Sequence, residues 1–254
     1  MLIAVDIGNS LINIGFYSKR GLFVRKIKTH PPKPYEIYAS LLRDFLSEIS
    51  IEKNTLEVII SSVVSGHTDV LAEACSDLVP ETLLILGPGI KTGLVFDVPK
   101  SEELGPDRIA NSVASYEIYK GPVAAVDFGT ATTISIVGKD AHFIGGAILP
   151  GVGLMNESLA KGTSKLSEVV LRPPETALGS DTSGSIQSGL FYGTAGAVER
   201  LLEEIEKEVG IRLRVVVTGG FSYIISKFLK REHDLRQNLT LEGLKIIYMR
   251  NRDE

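Results

Sequence analysis

The sequence is nearly without cysteine and has no surplus of positive charge. A single cysteine, Cys75, excludes an internal disulfide and any metal site built from several cysteines. With 27 Lys+Arg against 31 Asp+Glu, the chain has no basic excess to neutralise phosphates, so we expect no nucleic-acid partner. No apolar run approaches the roughly 18 residues that a membrane helix needs, and no basic leader precedes the first strand. We therefore expect a cytoplasmic protein with no membrane partner.

Several common catalytic motifs are also missing. The sequence contains neither Gly-x-x-x-x-Gly-Lys-[Ser/Thr] nor Gly-x-Gly-x-x-Gly, the two commonest phosphate-loop motifs. It lacks Gly-x-Ser-x-Gly and His-Glu-x-x-His, and its four histidines show no ligand spacing, which argues against an α/β-hydrolase or a zinc protease. Glycine is abundant instead: 12 of the 25 glycines lie between Gly129 and Gly196. Such residues mark turns where the backbone can approach a ligand.

The chain contains an internal repeat. The segment Leu2-Ile3-Ala4-Val5-Asp6-Ile7-Gly8-Asn9 returns 121 residues later as Val123-Ala124-Ala125-Val126-Asp127-Phe128-Gly129-Thr130. Each copy is an apolar strand followed by Asp, an apolar residue, Gly and a small polar residue. Because the inward positions of the following strands differ by one, we expect a small insertion or bulge in one copy; two unrelated turns are the alternative. The repeat predicts an α/β protein of two similar lobes, residues 1–121 and 122–254.

Periodicity supplies the expected elements. Alternation over residues 2–28 predicts a three-stranded meander, and helical spacing predicts helices at 35–49, 68–79, 109–119, 154–166 and 185–209. Buried strands are expected at 57–64, 83–86 and 215–218. Beyond these, we expect a short helix near 222–230 and a last strand near 244–249.

The repeated turns can bind phosphate. In Asp6-Ile7-Gly8-Asn9-Ser10 and in residues 127–133, a carboxylate at the end of a buried strand precedes a turn of small polar side chains. Backbone amides of such turns can converge on phosphate oxygens, and the aspartate can hold a hydrated cation. A third glycine turn, Gly219-Gly220, could present a flat surface to a nucleotide base. One such turn alone would more often simply close a hairpin.

A further candidate segment is Gly105-Pro106-Asp107-Arg108, which precedes a predicted helix. Asp107 and Pro106 could merely start that helix, with Arg108 solvated. Alternatively, Arg108 could clamp a substrate carboxylate or hydroxyl, while Asp107 accepts a hydroxyl proton during phosphoryl transfer. Spacing alone favours the structural interpretation.

In combination, these motifs closely resemble those of type III pantothenate kinases. The likeness also includes Gly145-Gly146-Ala147-Ile148-Leu149-Pro150-Gly151 and Thr182, and it extends over residues 2–249 in the family's order. The resemblance implies two duplicated actin-like (ribonuclease H-like) lobes with mixed sheets and an ATP cleft between them. It further implies a homodimer that phosphorylates pantothenate with ATP, the first step of coenzyme A biosynthesis.

The resemblance also assigns site residues. Those expected to bind ATP are Asp6, Ile7, Gly8, Asn9, Ser10, Leu11, Ile12, Asn13, Gly129, Thr130, Ala131, Thr132, Gly219 and Gly220. Asp6 would hold Mg²⁺ through water, and Asp127 a monovalent cation, K⁺ or NH₄⁺. Residues expected to contact pantothenate are Phe96, Gly105, Pro106, Asp107, Arg108 and Thr182, with Asp107 as the catalytic base and Thr182 reaching across the dimer.

The chain departs from the family pattern at three positions. Ser10 stands where threonine is common and keeps the hydroxyl, and Pro106 stands where a small residue is frequent. Phe96 replaces a usual tyrosine, which removes a phenolic hydrogen bond near pantothenate. The sequence leaves two alternative functions open. One is a kinase of the same superfamily that acts on a sugar or short acid, and the other is a nucleotide-dependent regulatory protein of the same fold.

Overall fold

The first sheet begins with the meander that the alternation predicts. In the computed structural model, which describes residues 1–48, 56–77 and 83–252, β1 (Leu2–Ile7), β2 (Leu11–Ser18) and β3 (Gly21–Lys28) pair in antiparallel fashion. On its other side β1 pairs in parallel with β4 (Glu57–Ser62), and β4 with β5 (Leu83–Ile85). The strand order is β3-β2-β1-β4-β5. Every residue of β1 is buried because the strand lies at the centre of the sheet.

Two helices pack on this sheet. α1 (Tyr35–Glu48) and α2 (Ser65–Ser76) form close to the positions predicted; Ile49 and Val79, the last residues of those predictions, lie outside the described residues. Their apolar faces join the strands in one core, to which α1 contributes Tyr38 and Leu42. Cys75 on α2 is fully buried there and acts as a small apolar side chain.

The second sheet repeats the topology of the first. β7 (Val123–Phe128), β8 (Ala131–Val137) and β9 (His142–Pro150) form an antiparallel meander, while β10 (Arg214–Thr218) and β11 (Asp234–Leu235) continue it in parallel from β7. A short strand, β6 (Val95–Phe96), adds to the outer edge of β9. Because the order β9-β8-β7-β10-β11 matches β3-β2-β1-β4-β5, the expectation of two duplicated α/β lobes with mixed sheets is confirmed.

The two first hairpins differ by one residue. Asp6 pairs with Asn13, seven positions later, whereas Asp127 pairs with Thr133, six positions later. The first turn therefore carries one additional residue. This insertion explains why the inward-facing positions of the two second strands are out of step.

The remaining helices include one that the sequence pattern misassigned. α4 (Val152–Gly162), α5 (Thr182–Val209) and α6 (Ser222–Ile225) agree with expectation, as does α3 (Pro106–Tyr119), which begins three residues early. The strand expected at 244–249 is wrong, because these residues belong to helix α7 (Leu239–Asn251). Leu241, Leu244 and Tyr248 are buried at helical spacing, which the short apolar run had concealed.

The chain divides into two compact units. One comprises Met1–Gly93, Lys100–Ala114 and Thr240–Glu254, and the other Leu94–Pro99 and Ser115–Leu239. The division at residue 121 expected from the repeat thus differs from this one, chiefly because α7 groups with the first sheet. In the first unit Gly243 lies directly against the backbone of Ala110, and a Leu241 methyl lies 3.0 Å from the position that a Cβ on Gly15 would take. No helix in the described part of the chain has the length and apolarity to cross a membrane.

Candidate active site

Asp6 is a buried carboxylate held at the end of β1. Asn13 Nδ2 donates to Asp6 Oδ2 at 3.2 Å across the hairpin, and Ser61 Oγ donates to Oδ1 at 3.4 Å from β4. The parallel pairing of β1 with β4 places Ser61 directly beside Asp6. Both donors are neutral groups, and together they fix the orientation of the carboxylate. Ser61 was not predicted as a site residue, although its position at the end of a buried strand is a signal that could have indicated it.

The turn after Asp6 presents its polar residues to solvent. Asn9, Ser10 and Leu11 are exposed, while the side chains of Ile7 and Ile12 are fully buried in the core. Of the residues predicted to bind ATP, these two isoleucines can therefore contribute only backbone groups. Gly8 closes the turn by donating its N–H to the carbonyl of Leu11 at 3.0 Å.

Asp107 lies in the first turn of α3, at the same sheet edge. Val63, which follows β4, donates its N–H to the carbonyl of Ile7 at 3.1 Å. Val63 Cγ1 in turn lies 4.0 Å from the position that a Cβ on Gly105 would take, which brings the start of α3 close to the Asp6 turn. The same Cβ would stand only 2.5 Å from Asp107 Oδ1, so Gly105 leaves room for this carboxylate.

Burial raises the pKa of Asp107, while the backbone N–H of Arg108 and the Arg108 charge act in the opposite direction. The N–H of Arg108 donates to Asp107 Oδ1 at 2.8 Å. Desolvation lowers the pKa of the half-buried Arg108 guanidinium, and the neighbouring Asp107 offsets part of this effect. Arginine side chains stay protonated in proteins. The start of α3 therefore carries the Arg108 cation beside the partly desolvated Asp107 carboxylate.

In the second unit, glycines surround the carboxylate of Asp127. A Cβ on Gly129 would lie 3.1 Å from Asp127 Oδ1, and a Cβ on Gly219 would overlap the same oxygen. Gly219 also has φ +98°, a conformation that other residues rarely adopt. Gly151, at the start of α4, donates its N–H to the carbonyl of Thr130 at 3.0 Å, and a Cβ on Gly151 would overlap the carbonyl oxygen of Gly129. Gly129 and Gly219 thus form a close-packed cradle around one carboxylate oxygen of Asp127.

The Gly219-Gly220 turn is hydrogen-bonded to the end of β7. Phe221 donates its N–H to the carbonyl of Phe128 at 3.0 Å, and Ser222 Oγ donates to the carbonyl of Gly219 at 2.7 Å. Because β7 and β10 are parallel and Thr218 pairs with Asp127, both turns lie at one edge of the second sheet. The Asp127 turn and the Gly219-Gly220 turn therefore lie close together within this unit.

The remaining predicted residues of the second unit occupy different environments. Thr130 and Ala131 are partly exposed, whereas Thr132 is fully buried and cannot present its side chain to a ligand in this conformation. Thr182 is exposed in the first turn of α5, where Asp181 caps the helix by accepting from the N–H of Gly184 at 2.6 Å. Phe96 on β6 pairs with Phe143, with ring centroids 6.0 Å apart.

The site residues are thus divided between the two units. The first unit brings together the Asp6 turn, Ser61 and residues 105–108, and the second brings together the Asp127 turn and Gly219-Gly220. The described residues contain no group of three or more His, Cys, Asp or Glu side chains arranged for direct metal binding. A divalent ion at Asp6 would therefore be held by a single carboxylate with hydroxyl, amide and water oxygens around it.

Comparison with known proteins shows which proteins the chain is similar to. The family model described as type III pantothenate kinase matches residues 2–204. A type III pantothenate kinase from Brevibacillus brevis is 38% identical over 253 residues, covering 99% of both chains, and one from Anaeromyxobacter sp. (strain K) is 35% identical over 256 residues, covering 99% of this chain and 100% of the relative.

Among solved structures, the activator of the 2-hydroxyisocaproyl-CoA dehydratase from Clostridium difficile, with bound ADPNP, matches with a TM-score of 0.57. The match covers 99% of this chain and 96% of that one at 10% identity. Such a likeness concerns the fold alone, and with it the expected actin-like architecture is confirmed.

Proposed function

Because the chain belongs to the type III pantothenate kinase family, we infer that it transfers the γ-phosphoryl group of ATP to the hydroxyl of pantothenate. The product is 4′-phosphopantothenate, and the reaction is the first step of coenzyme A biosynthesis. The observation that carries this function is 35–38% identity to type III pantothenate kinases over 99% of the chain.

We propose that the Asp6 and Asp127 turns bind the phosphates of ATP. Exposed residues 9–11 and the partly exposed Thr130 have backbone N–H groups and hydroxyls at strand ends, and phosphate oxygens accept from such donors. Gly129, whose N–H donates to the carbonyl of Ala131 at 3.1 Å, would allow the backbone to approach the phosphate. Gly219-Gly220 would lie along the base or ribose. This assignment suits an acidic protein, because turns rather than a basic surface would bind the nucleotide.

The residues around Asp6 fit a hydrated magnesium ion. A buried carboxylate with a serine hydroxyl and an asparagine amide beside it is a hard oxygen site, and one carboxylate is the usual protein contribution to Mg²⁺ bound with ATP. When bound, Mg²⁺ would neutralise charge on the phosphates. Asn13 and Ser61 would orient Asp6 for this role.

The cradle at Asp127 fits a monovalent cation. Because neither Gly129 nor Gly219 carries a Cβ, no side-chain atom of either residue covers Asp127 Oδ1. Carboxylate and carbonyl oxygens are the ligands that K⁺ accepts, and NH₄⁺ can donate to the same atoms. We therefore propose a K⁺ or NH₄⁺ site here.

Asp107 is proposed to accept the proton of the reacting hydroxyl. An aliphatic alcohol is too weak an acid to be deprotonated beforehand, so Asp107 would orient it and take the proton as the new O–P bond forms and the bond from the γ-phosphorus to ADP breaks. Burial, which raises the pKa of Asp107, makes it a better acceptor than an exposed aspartate. Arg108 would hold the pantothenate carboxylate.

Phe96 and Thr182 are proposed to complete the pantothenate site. Phe96 would contribute an apolar wall without the hydroxyl of the usual tyrosine. Thr182, exposed at the start of α5, is available to reach the substrate of a partner subunit if the chain is a homodimer, as we propose. Sedimentation equilibrium of the intact protein tests that assembly.

A coupled assay of ADP release with Mg·ATP in K⁺ buffer tests the proposed function. We expect release to depend on pantothenate, and mass spectrometry to show the product heavier by one phosphoryl group. A sugar and a short hydroxy acid serve as competing acceptors. Pantothenate-independent ADP release, or preference for another acceptor, would contradict the proposal.

A further inference from the structure

We propose that Thr29 is a positioning residue for the first phosphate loop, residues 8–11. The inference rests on the proposed function of this turn, and Thr29 itself would not touch the nucleotide. It follows β3 directly and is fully buried, 21 positions away from the glycine that it contacts.

Thr29 binds two carbonyls of the loop at once. Its hydroxyl donates to the carbonyl of Gly8 at 2.7 Å, and its backbone N–H donates to the carbonyl of Ser10 at 3.1 Å. Together with the bond from Gly8 N–H to the Leu11 carbonyl at 3.0 Å, these contacts fix the peptide groups on both sides of Asn9 and Ser10.

The direction of the carbonyls determines the direction of the amides. In a trans peptide the C=O and the following N–H point to opposite sides. With the carbonyls of Gly8 and Ser10 turned toward Thr29, the N–H groups of Asn9 and Leu11 point away from it. A loop held in this way presents donors to an anion, and it keeps two carbonyl dipoles from repelling the phosphate.

The hydroxyl is the part of Thr29 that can be tested separately. The backbone bond to Ser10 continues the pairing of β2 with β3 and would form with any residue except proline. The bond to Gly8 requires a side-chain donor. Thr29→Val removes that donor at nearly constant shape, leaving the Gly8 carbonyl without it, while Thr29→Ser keeps it.

Nucleotide affinity and steady-state kinetics separate positioning from stability. We expect Thr29→Val to raise the Kd for ADPNP, measured by calorimetry, about tenfold, as loss of one buried hydrogen bond would. The KM for ATP should rise by a similar factor with little change in the KM for pantothenate. Thr29→Ser should restore both constants to within about threefold of the wild type. A purely structural role would instead lower the active fraction, and hence the apparent kcat, with unchanged Kd and KM.

Thr194→Val is the matched control. Thr194 is also buried, and its hydroxyl donates to the carbonyl of Leu190 at 2.5 Å, but it lies within α5 and outside both turns. This variant should bind ADPNP as the wild type does. If Thr29→Val does not fold, Thr29→Ala, which adds no bulk, is measured in its place.

Amide NMR shifts of the wild-type protein supply a test without substitution. Addition of ADPNP should shift the amide resonances of Asn9 and Leu11 more than those of Gly8 and Ile12. Unchanged resonances at Asn9 and Leu11, or wild-type Kd and KM for nucleotide in Thr29→Val, would overturn the proposal. Failure of the pantothenate kinase assay with normal ADPNP binding would overturn the proposed function alone.

Discussion

Gly219 lies against the carboxylate of Asp127 so closely that a Cβ would overlap Asp127 Oδ1. If the cradle binds K⁺ or NH₄⁺, Gly219→Ala should abolish stimulation by these ions. A methyl group there would fill the space at the oxygen and strain a backbone with φ +98°. We expect wild-type activity with Mg·ATP to rise at least about tenfold when Na⁺ is replaced by K⁺, a change equal to roughly 1.4 kcal/mol of transition-state stabilisation.

The same measurement on Asp127→Asn and Gly121→Ala completes that test. Asp127→Asn should show equally low activity in Na⁺ and K⁺, because the anionic ligand is removed. Gly121→Ala adds a methyl at ordinary contact distance, 3.7 Å from the Tyr119 carbonyl, and should keep the response. A wild-type enzyme indifferent to the exchange of Na⁺ for K⁺ would refute the cation site.

Replacing Asp107 with asparagine should separate chemistry from nucleotide binding. Asparagine keeps the shape of the side chain but cannot accept the hydroxyl proton, so we expect kcat to fall at least about 10²-fold. The Kd for ADPNP should remain near the wild-type value. Glu102→Gln, which neutralises an exposed carboxylate shortly before α3, controls for the loss of a negative charge. Near-normal turnover in Asp107→Asn would remove Asp107 from the role of base.

The pH dependence of kcat/KM should report the environment of Asp107. Only the ionised carboxylate can act as a base, and burial raises its pKa above the ordinary 3.8. Activity should therefore fall on the acid side at a higher pH than for an exposed aspartate. Arg108→Gln removes a charge that lowers this pKa, so its acid limb should move to still higher pH. An acid limb that stays in place in Arg108→Gln would show that another group controls it.

Sequence reasoning identified the repeated strands and turns because each depends on neighbouring residues. Alternation of apolar and polar residues predicts the meander over residues 2–28. The repeated order of residue types predicts that Asp6 and Asp127 occupy equivalent positions in the two copies. Ser61 and Thr29 were not predicted, since they meet the Asp6 turn only through strand pairing and a contact 21 positions apart.

Helix α7 was misassigned for a related reason. The residues at 244–249 are apolar in a short run that suits a strand as well as a buried helix. Its grouping with the first sheet depends on the close approach of Gly243 to Ala110, more than a hundred positions away in the sequence. Contacts of this kind are set by tertiary packing and leave no local signal.

Gly243 should therefore be essential for the packing of α7 on α3. A Cβ at this position would collide with the carbonyl oxygen of Ala110, and backbone cannot move aside cheaply. We expect Gly243→Ala to lower the free energy of unfolding by roughly 1–3 kcal/mol, measured by urea titration. Gly189→Ala is the control: it lies within α5 with no atom near the added methyl, and should stabilise by about 0.5–1 kcal/mol. Equal effects of the two substitutions would contradict this packing.

His67 should make the stability of the protein sensitive to acid. Its ring is buried at the start of α2, and Tyr38 Oη lies 2.9 Å from Nδ1, while no hydrogen bond to Nε2 is found among the described residues. Burial lowers the pKa of His67 below its ordinary 6.5, and the nearby His30 and Lys33 lower it further. A protonated ring would place an unsatisfied charged N–H in the core.

The sign of this effect follows from proton linkage. Below about pH 6.5 the unfolded chain binds a proton at His67 that the folded chain takes up only at lower pH, so the free energy of unfolding should decrease as the pH falls through that interval. The slope attributable to one proton is at most about 1.4 kcal/mol per pH unit. Urea titrations at several pH values should show a shallower acid slope for His67→Asn, which places an amide near Tyr38, than for the wild type. Parallel slopes in the wild type and in His67→Asn would show that His67 takes up its proton at the same pH in the folded and unfolded chains.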